Sequence, residues 1–328
     1  MQNTQFKKYT RNLCHLTEGQ LRILKEKIQT IENHHSVSKT LESPKENMSC
    51  PHCSSEQIVR WGHQSDMQRF RCRACKKTFN SLSNTPLARL RRRGHWWQFC
   101  ECLVKGYSLR KSAHLCKVNL TTAFRWRHRF LSNHATYYPK LLAGIIEIRI
   151  CNLPTPRINK HPSDKNKNTS VLFSSDRYKS ALNTILSERE KSKILSIIKG
   201  HLAKDSLICV DSSSLKSQIS SSFQCYNSGD TNPKEVFHTE NTREYEESLK
   251  AWLSKFRGVS RDYLSNYLSW YRSIDEYNHQ IKGKEFLLRA KETGKSINCK
   301  RKHKFLEHKL LNPPPKTPSN DIKHPPTS

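Results

Sequence analysis

Four cysteines carry the clearest chemistry in this sequence. Cys50-Pro-His-Cys53 and Cys72-Arg-Ala-Cys75 are two CxxC pairs separated by 18 residues. One tetrahedral zinc ion needs four thiolates, and each CxxC knuckle delivers two of them from one tight turn. A single CxxC leaves a redox role open; two at this spacing argue for metal. Ile58 to Trp61 and Gln68 to Arg71, between the pairs, have the alternation of short ribbon strands. So small a unit has almost no apolar core, and structural Zn2+ must supply its folding energy. His52 and His63 are expected to stand aside, because four cysteines already fill the shell.

The next concentration of chemistry is positive charge. The 328-residue chain has 58 Lys+Arg against 28 Asp+Glu, a formal net charge of +30. Residues 50–131 hold 17 of the basic residues and only Glu56, Asp66 and Glu101 on the acidic side, so the charge is localised. A focused basic surface attracts polyanions, with double-stranded DNA the expected partner.

Helical periodicity places that charge on a framework. Trp96, Phe99, Cys100, Leu103 and Val104 predict a first helix over His95–Lys105, broken at Gly106. Ser108 is a cap for a second over Leu109–Cys116. Lys117-Val-Asn119 is a turn, and Leu120–Leu131 a basic third helix. A short helix, a tight turn and a basic helix suit a helix-turn-helix; a structural bundle with an incidental basic face is the competing reading. Thr121 and Thr122, near the start of the third helix, are candidates for base edges. Arg125, Arg127 and Arg129 are candidates for phosphates. Arg89, Arg91, Arg92 and Arg93 form a further phosphate-binding stretch, and Arg110 and Lys111 join the DNA-binding set.

Around this centre the elements follow from apolar spacing and caps. Thr17 and Gln20 suit a capping box, followed by Leu21, Leu24, Ile28 and Ile31 at helical spacing. That helix packs on the next domain or dimerises. Ser36–Asn47 is a polar linker. Residues 141–150 read as a buried strand, and Cys151–Thr169, with three prolines, as a loop or disorder. Val171–Phe173 and Ala181–Leu186 are strands. A second capping box, Ser187 and Glu190, opens a helix through Leu202. Leu207–Val210 is a strand ending at Asp211. Helices follow over Glu244–Phe256 and Tyr263–Tyr271. The basic, proline-rich stretch from about residue 285 is expected to be disordered.

CPHC with RFRCRACKKTF, followed by GYSLRKSAHLCKVNLTTAFRWRHRFL, resembles the zinc-ribbon-bearing insertion-sequence transposases of bacteria and archaea. HTENTREYEESLKAWLSKFRGVSRDYLSNYLSWYR resembles the end of their RNase H-like catalytic domain. The resemblance implies an α+β multidomain protein. Its expected parts are a helical lead-in and linker (1–49), a zinc ribbon (50–84), a helix-turn-helix (85–135), an RNase H-like domain (141–275) with a disrupted first strand region (148–169 aberrant), and a disordered tail (276–328). It implies a transposase that binds DNA at element ends, with a homo-oligomer as one expected form. It also implies a catalytic set in which acidic or amide residues hold two Mg2+ ions for attack on a phosphodiester. Asp211 and Lys250 match that pattern. Arg149 stands where the first Asp belongs, in GIIEIRIC, and Arg243 stands seven residues before Lys250, where the third ligand belongs. Glu147, Glu240 and Glu244 are the nearby substitutes. The expectation is therefore an impaired enzyme, with a non-catalytic DNA-binding regulator as the alternative.

No run of about 18 apolar residues is present, so no membrane span is expected. The polar, basic Met1–Arg11 lacks the apolar core of a secretory signal. A reducing interior suits unpaired cysteines with metal-ligand spacing. The expected location is the cytoplasm, on the nucleoid.

Overall fold

The structure is a computed structural model that describes residues 3–42, 48–132, 141–155, 168–178, 180–228, 236–256, 258–276 and 282–291. It is a mixed α/β chain with two sheets.

The N-terminal part is helical. Helix α1 covers Asn3–Arg11 and α2 covers Glu18–Leu41. Both halves of the expected capping box form, with Gln20 N–H donating to Thr17 Oγ1 and Thr17 N–H to Gln20 Oε1. The linker expected from Ser36 is still helix as far as Leu41, because Val37 and Leu41 are fully buried against the following helices. Residues 43–47 of that linker lie outside the described residues.

Strands β1 (Ile58–Gln64), β2 (Met67–Cys72) and β3 (Thr78–Phe79) form an antiparallel sheet in that order. Ser65 and Asp66 connect β1 to β2, both with positive φ (47° and 62°), which is the twist a two-residue hairpin turn requires. Its apolar cluster is small: Ile58, Phe70 and Phe79 around Cys50 and Cys72, with Met48 and Cys75 at the edge.

Three short helices follow: α3 (Trp96–Val104), α4 (Leu109–Leu115) and α5 (Leu120–Phe130). Ser108 caps α4 by accepting from Lys111 N–H, and Asn119 caps α5 by accepting from Thr122 N–H. Gly106 ends α3 with φ +60°, and a Cβ there would lie 2.8 Å from Trp252 Nε1, so both the turn and the packing demand glycine. Trp96, Phe99, Trp126 and Phe130 meet edge to face beneath these helices, with centroids 5.3 to 5.5 Å apart.

The second sheet has the order β6-β5-β4-β7-β8, built from β4 (Ile145–Leu153), β5 (Thr169–Asp176), β6 (Ala181–Ile185), β7 (Leu207–Val210) and β8 (Gln224–Asn227). Strand β5 runs antiparallel to both β4 and β6, while β7 and β8 join parallel to β4. The expected disruption of the first strand is corrected here. The strand pairs with β7 over Ile145–Ile148, and the β4–β5 ladder runs unbroken from Ile146↔Asp176 to Leu153↔Thr169. The expected loop thus begins only after Leu153 and has ended by Thr169; residues 156–167 of it lie outside the described residues. Ile146, Ile148, Leu172, Ile208 and Val210 face α6 (Ile194–Ile198) and α7 (Ser213–Ile219). The expected long helix behind Ser187 is only this five-residue α6. Ser187 N–H does donate to Glu190 Oε2 at 2.7 Å, but it caps a turn.

The opposite face of the sheet is covered by α8 (Glu240–Ser254) and α9 (Arg261–Glu276). Helix α10 (Gly283–Lys291) falls in the stretch expected to be disordered. Its basic residues mask an apolar face: Phe286, Leu287 and Ala290 are fully buried, and α10 packs on α3 and α5. Residues 292–328 lie outside the described residues. One apolar cluster runs from Val37 and Leu41 through α3–α5 to Trp252, Trp270 and Phe286. Trp270 Nε1 donates to the Leu103 carbonyl across it at 2.9 Å.

Because α10 completes that cluster, Phe286→Ala is expected to destabilise the full chain by about 3–5 kcal/mol, the usual cost of emptying a buried phenylalanine site. Urea unfolding followed by tryptophan fluorescence measures it. A disordered tail would show no change.

Candidate zinc centre and nucleic-acid interface

The ribbon sheet brings both CxxC knuckles to one point. In each, the backbone turns through a left-handed residue just after the second cysteine, Ser54 (φ 60°) and Lys76 (φ 62°). Cys50 N–H bonds the Ser55 carbonyl and Cys72 N–H the Lys77 carbonyl, so the two turns are built alike. The four Sγ atoms all lie within 4.8 Å of one another, with Cys50–Cys75 and Cys53–Cys72 each at 3.6 Å. Zn–S bonds of about 2.3 Å in a tetrahedron put sulfurs roughly 3.8 Å apart, so the residues fit the ion. Cys75 N–H donates to Cys72 Sγ at 3.4 Å and lowers the pKa of that thiol. No histidine joins this cluster among the described residues.

The arginine stretch and the start of α5 face each other across a groove of about 500 Å³. It is lined by Arg89, Leu90, Arg91, Arg92, Asn119, Thr122, Arg125 and Trp126. Arg89 and Arg92 both adopt positive φ (62° and 59°), so the chain corkscrews and presents its guanidinium groups to the groove. Thr121 is exposed beside it, and Arg110 and Lys111 are exposed on α4, with Lys111 Nζ 3.7 Å from the Tyr107 ring.

Three of the expected phosphate contacts are placed elsewhere. Arg127 is 1 % exposed. It donates to the Tyr107 carbonyl (2.6 Å) and Ser112 Oγ (3.2 Å) and lies over the Phe256 and Trp270 rings. Burial lowers its pKa, and it offers no surface to a phosphate. Helical periodicity explains this, because Ala123, Trp126, Arg127 and Phe130 share the inward face of α5. Arg129 is partly buried and donates to the Pro86 and Ala88 carbonyls, shaping the arginine stretch from behind. Arg93 turns back to Ser65 O (2.7 Å) and Ser38 Oγ (3.3 Å), tying the stretch to the ribbon and to α2. The sequence reading missed Asn119, hidden in its role as a cap. It also missed Trp61, 48 % exposed on the ribbon with the Arg71 guanidinium 4.6 Å from its ring.

The second constellation lies at the carboxyl end of β7. Parallel pairing of Ile148 with Val210 sets Arg149 beside Asp211, and α8 crosses the same face. Arg149 Nε is 3.2 Å from Asp211 Oδ2 and 3.7 Å from Glu246 Oε2. Lys250 Nζ is 2.5 Å from Glu246 Oε1. The chain of charges is therefore Asp211, Arg149, Glu246, Lys250, alternating in sign, with the buried Cys151 thiol beside the last two. Burial opposes ionisation of both acids. At Asp211 it outweighs the Arg149 charge and the pKa is raised; at Glu246 the Cys151, Lys250 and Arg149 contacts overcome it and the pKa is lowered. The Glu246 hydrogen bond raises Lys250.

The expected neighbours of this site are redistributed. Arg243 points away and pairs with Glu240 (2.7 Å) and Glu247 (3.9 Å). Glu147 is fully buried and saturated: it accepts from Asn241 Nδ2 and Thr242 N–H, at 2.7 and 2.9 Å, and pairs with Arg177 at 2.7 Å. It anchors the first turn of α8 as a helix-end anion. Glu244 has no place in the network. Glu246 is the acid that reaches the site, and the signal was an acidic residue on the buried face of α8, with Thr242, Leu249 and Trp252. The donor set does not fit Mg2+. Each carboxylate already faces a fixed cation, and the only metal cluster among the described residues is the cysteine one.

Residues 46–76 match the family model of the InsA N-terminal domain, a zinc ribbon. No curated protein matches the chain. The Cys50–Cys75 segment is an insertion-sequence-related zinc ribbon. Its structural ion is zinc and its expected partner is DNA. No helix among the described residues is long and apolar enough to cross a membrane.

The full chain is expected to bind one zinc ion per molecule, and Cys72→Ser to lose it, by elemental analysis; unchanged zinc in the variant contradicts the ribbon centre. The Glu246 pKa shift fixes a second expectation. A carboxylate with a lowered folded pKa stabilises above its unfolded value, near 4.5, and loses that contribution as pH falls through the lower folded value. Glu246→Gln is expected to remove this component of acid unfolding, read by circular dichroism from pH 7 to pH 3. An unaltered acid transition contradicts it.

Proposed function

We propose that the protein is a transposase of insertion-sequence type that grips duplex DNA but lacks a working metal centre. Within it, α3–α5 act as a helix-turn-helix and β4–β8 with their helices as an RNase H-like domain. The observation that carries the DNA-binding half is the convergence of Arg89, Arg91, Arg92, Thr122 and Arg125 on one groove beside the ribbon. The mixed order of the sheet, with Asp211 at the carboxyl end of a parallel strand, supports the RNase H-like reading.

In this reading the groove takes the phosphate backbone, Thr121 and Thr122 at the start of α5 meet base edges, and Arg110 and Lys111 hold a neighbouring phosphate. Arg89, Arg91, Arg92 and Arg125 set the salt dependence, because each neutralised phosphate releases a counterion. Arg127 and Arg129 support the scaffold. The target is DNA at element ends, and the protein works on the nucleoid.

The catalytic half of the proposal rests on Arg149. Two-metal phosphoryl transfer needs uncommitted anionic oxygens to clamp two divalent ions. Here the Arg149 guanidinium sits between Asp211 and Glu246, and together with Lys250 it balances their two charges. Lys250 is thereby a partner of Glu246, and no step of cleavage is assigned to it. A non-catalytic regulator with the same DNA grip is the second reading, favoured by that same neutralised network.

Fluorescence anisotropy of the full chain on duplex DNA tests the grip. Arg92→Ala with Arg125→Ala is expected to weaken binding at least tenfold and to flatten the slope of affinity against salt by about one to two phosphate contacts. Equal affinity and slope in the variant contradict the groove. For the chemistry, the wild-type chain is expected to show no strand cleavage with Mg2+ or Mn2+. Metal-dependent cleavage that disappears in Asp211→Ala refutes the neutralised site.

A further inference from the structure

The ribbon has a face that neither the zinc centre nor the groove uses. Phe70 and Phe79 stack on the inner side of its sheet, with centroids 5.8 Å apart. Strand alternation therefore turns Val59, Arg69, Arg71 and Thr78 to the outer side. Between Arg60 and His63 the β1–β2 register slips, so Trp61 and Gly62 both stand opposite Arg69. This is a β-bulge, which re-aims a side chain out of the regular ladder. Gly62 supplies its positive φ of 69°, and Gln68 Nε2 fixes it by donating to the Gly62 carbonyl at 2.8 Å. The outcome is a tryptophan 48 % exposed, with the Arg71 guanidinium 4.6 Å from its ring. Arg69 Nη2 is held on the same face by Thr78 Oγ1 at 3.1 Å. Residues 50–84 contain only Glu56 and Asp66 as acids, and Asp66 is turned to His34 of α2 at 2.9 Å.

We propose that this outer face is a stacking platform for an unpaired base of DNA, with Trp61 taking the base and Arg69 and Arg71 the phosphates beside it. The proposal rests on the DNA-binding reading of the groove and adds to it a second subsite with a different preference. Chemistry selects the occupant. A base inside a duplex has both π-faces covered by its neighbours and shows only its edges, whereas an unpaired base offers a whole face to an aromatic ring. Such stacking tolerates any sequence, because every base has a π-face. The two arginines serve the backbone of paired or unpaired strands alike; the ring adds affinity only where a base is free. Cation–π contact with Arg71 and the bulge hold the indole in place before DNA arrives, which lowers the entropy lost on binding. The platform is also moored to the groove, because Arg93 of the arginine stretch donates to the Ser65 carbonyl in the turn of the same hairpin at 2.7 Å. A duplex seated in the groove can thus place a melted or single-stranded end on the ribbon.

Fluorescence anisotropy of the full-length, zinc-loaded chain on two probes tests this: a blunt duplex, and the same duplex carrying a single-stranded overhang. The wild type is expected to bind the overhang probe about tenfold more tightly, the usual worth of one stacked base. Trp61→Ala is expected to erase that advantage while leaving zinc content and blunt-duplex affinity unchanged, and Trp61→Phe, which keeps a ring, to retain most of it. Arg92→Ala with Arg125→Ala is expected to weaken both probes and keep the advantage, which separates the groove from the platform. With 5-iodouracil in the overhang, the photo-cross-link is expected on the peptide containing Trp61. Equal affinity of the wild type for the two probes overturns the proposal, as does an advantage that survives in Trp61→Ala or a cross-link that maps only elsewhere. An equal loss on both probes in Trp61→Ala also overturns it, because the ribbon then reads paired DNA. A chain that binds neither probe overturns the DNA-binding reading and the platform together.

Discussion

The contact on which the rest of the architecture depends is the aromatic junction between α3–α5 and α8–α10. Trp126, Phe99 and Phe130 on one side and Trp252, Trp270 and Phe286 on the other belong to one continuous cluster. Burying large aromatic rings is the strongest local driving force available to a chain whose net charge of +30 opposes compaction. The junction also contains a cation. Arg127 is tolerated there because its guanidinium lies against the Phe256 and Trp270 rings and donates to Tyr107 and Ser112. With α5 fixed on its inner face by Trp126 and Arg127, its outer positions, Thr122 and Arg125, are held at a constant distance from the arginine stretch. The groove is thus a consequence of the core. The ribbon lies outside this junction and has only a handful of apolar residues of its own, which is why it needs an ion.

The Asp211 site shows how a charged cluster is made stable without metal. Acids gathered at the end of a parallel strand repel one another and need a cation. Arg149 fills that need with a fixed charge on the adjacent strand, and Lys250 extends it one step further. Partly exposed pairs of this kind gain little net stability, because water screens them, but Glu246 is buried, and removal of its cations leaves that charge uncompensated. The network is therefore self-consistent as it stands. Replacing Arg149 alone leaves Asp211 and Glu246 facing each other, so recovery of a metal centre requires an ion to bind as the guanidinium leaves.

Local signals in the sequence were read well. Cys50, Cys53, Cys72 and Cys75 are legible because ligand geometry imposes fixed spacing, and the Thr17 and Ser108 caps mark α2 and α4 because unsatisfied amides demand a nearby oxygen. The strand at Leu207–Val210 was bounded correctly by its apolar run. What failed was any judgement that depends on which face of an element is covered. Arg127 and Arg129 look like surface charge until α5 is packed. The basic stretch around Arg289 looks disordered until Phe286, Leu287 and Ala290 find α3. Glu246 escaped notice because alignment by spacing pointed to Arg243, whereas α8 turns Glu246 inward and Arg243 outward. Proline content suggested a loop from Cys151, although the alternation that makes β4 continues to Leu153 before the first proline.

Hydrogen exchange read by mass spectrometry, on the full chain with and without duplex DNA, tests the central claim that the groove between Arg89–Arg93 and the start of α5 is where DNA sits. The account predicts DNA-dependent protection in peptides spanning residues 87–94 and 117–126 and in the ribbon around Trp61, with α8 and the end of β7 unchanged. Protection centred on Asp211 and α8, with the arginine stretch exchanging as it does in the free protein, would contradict it.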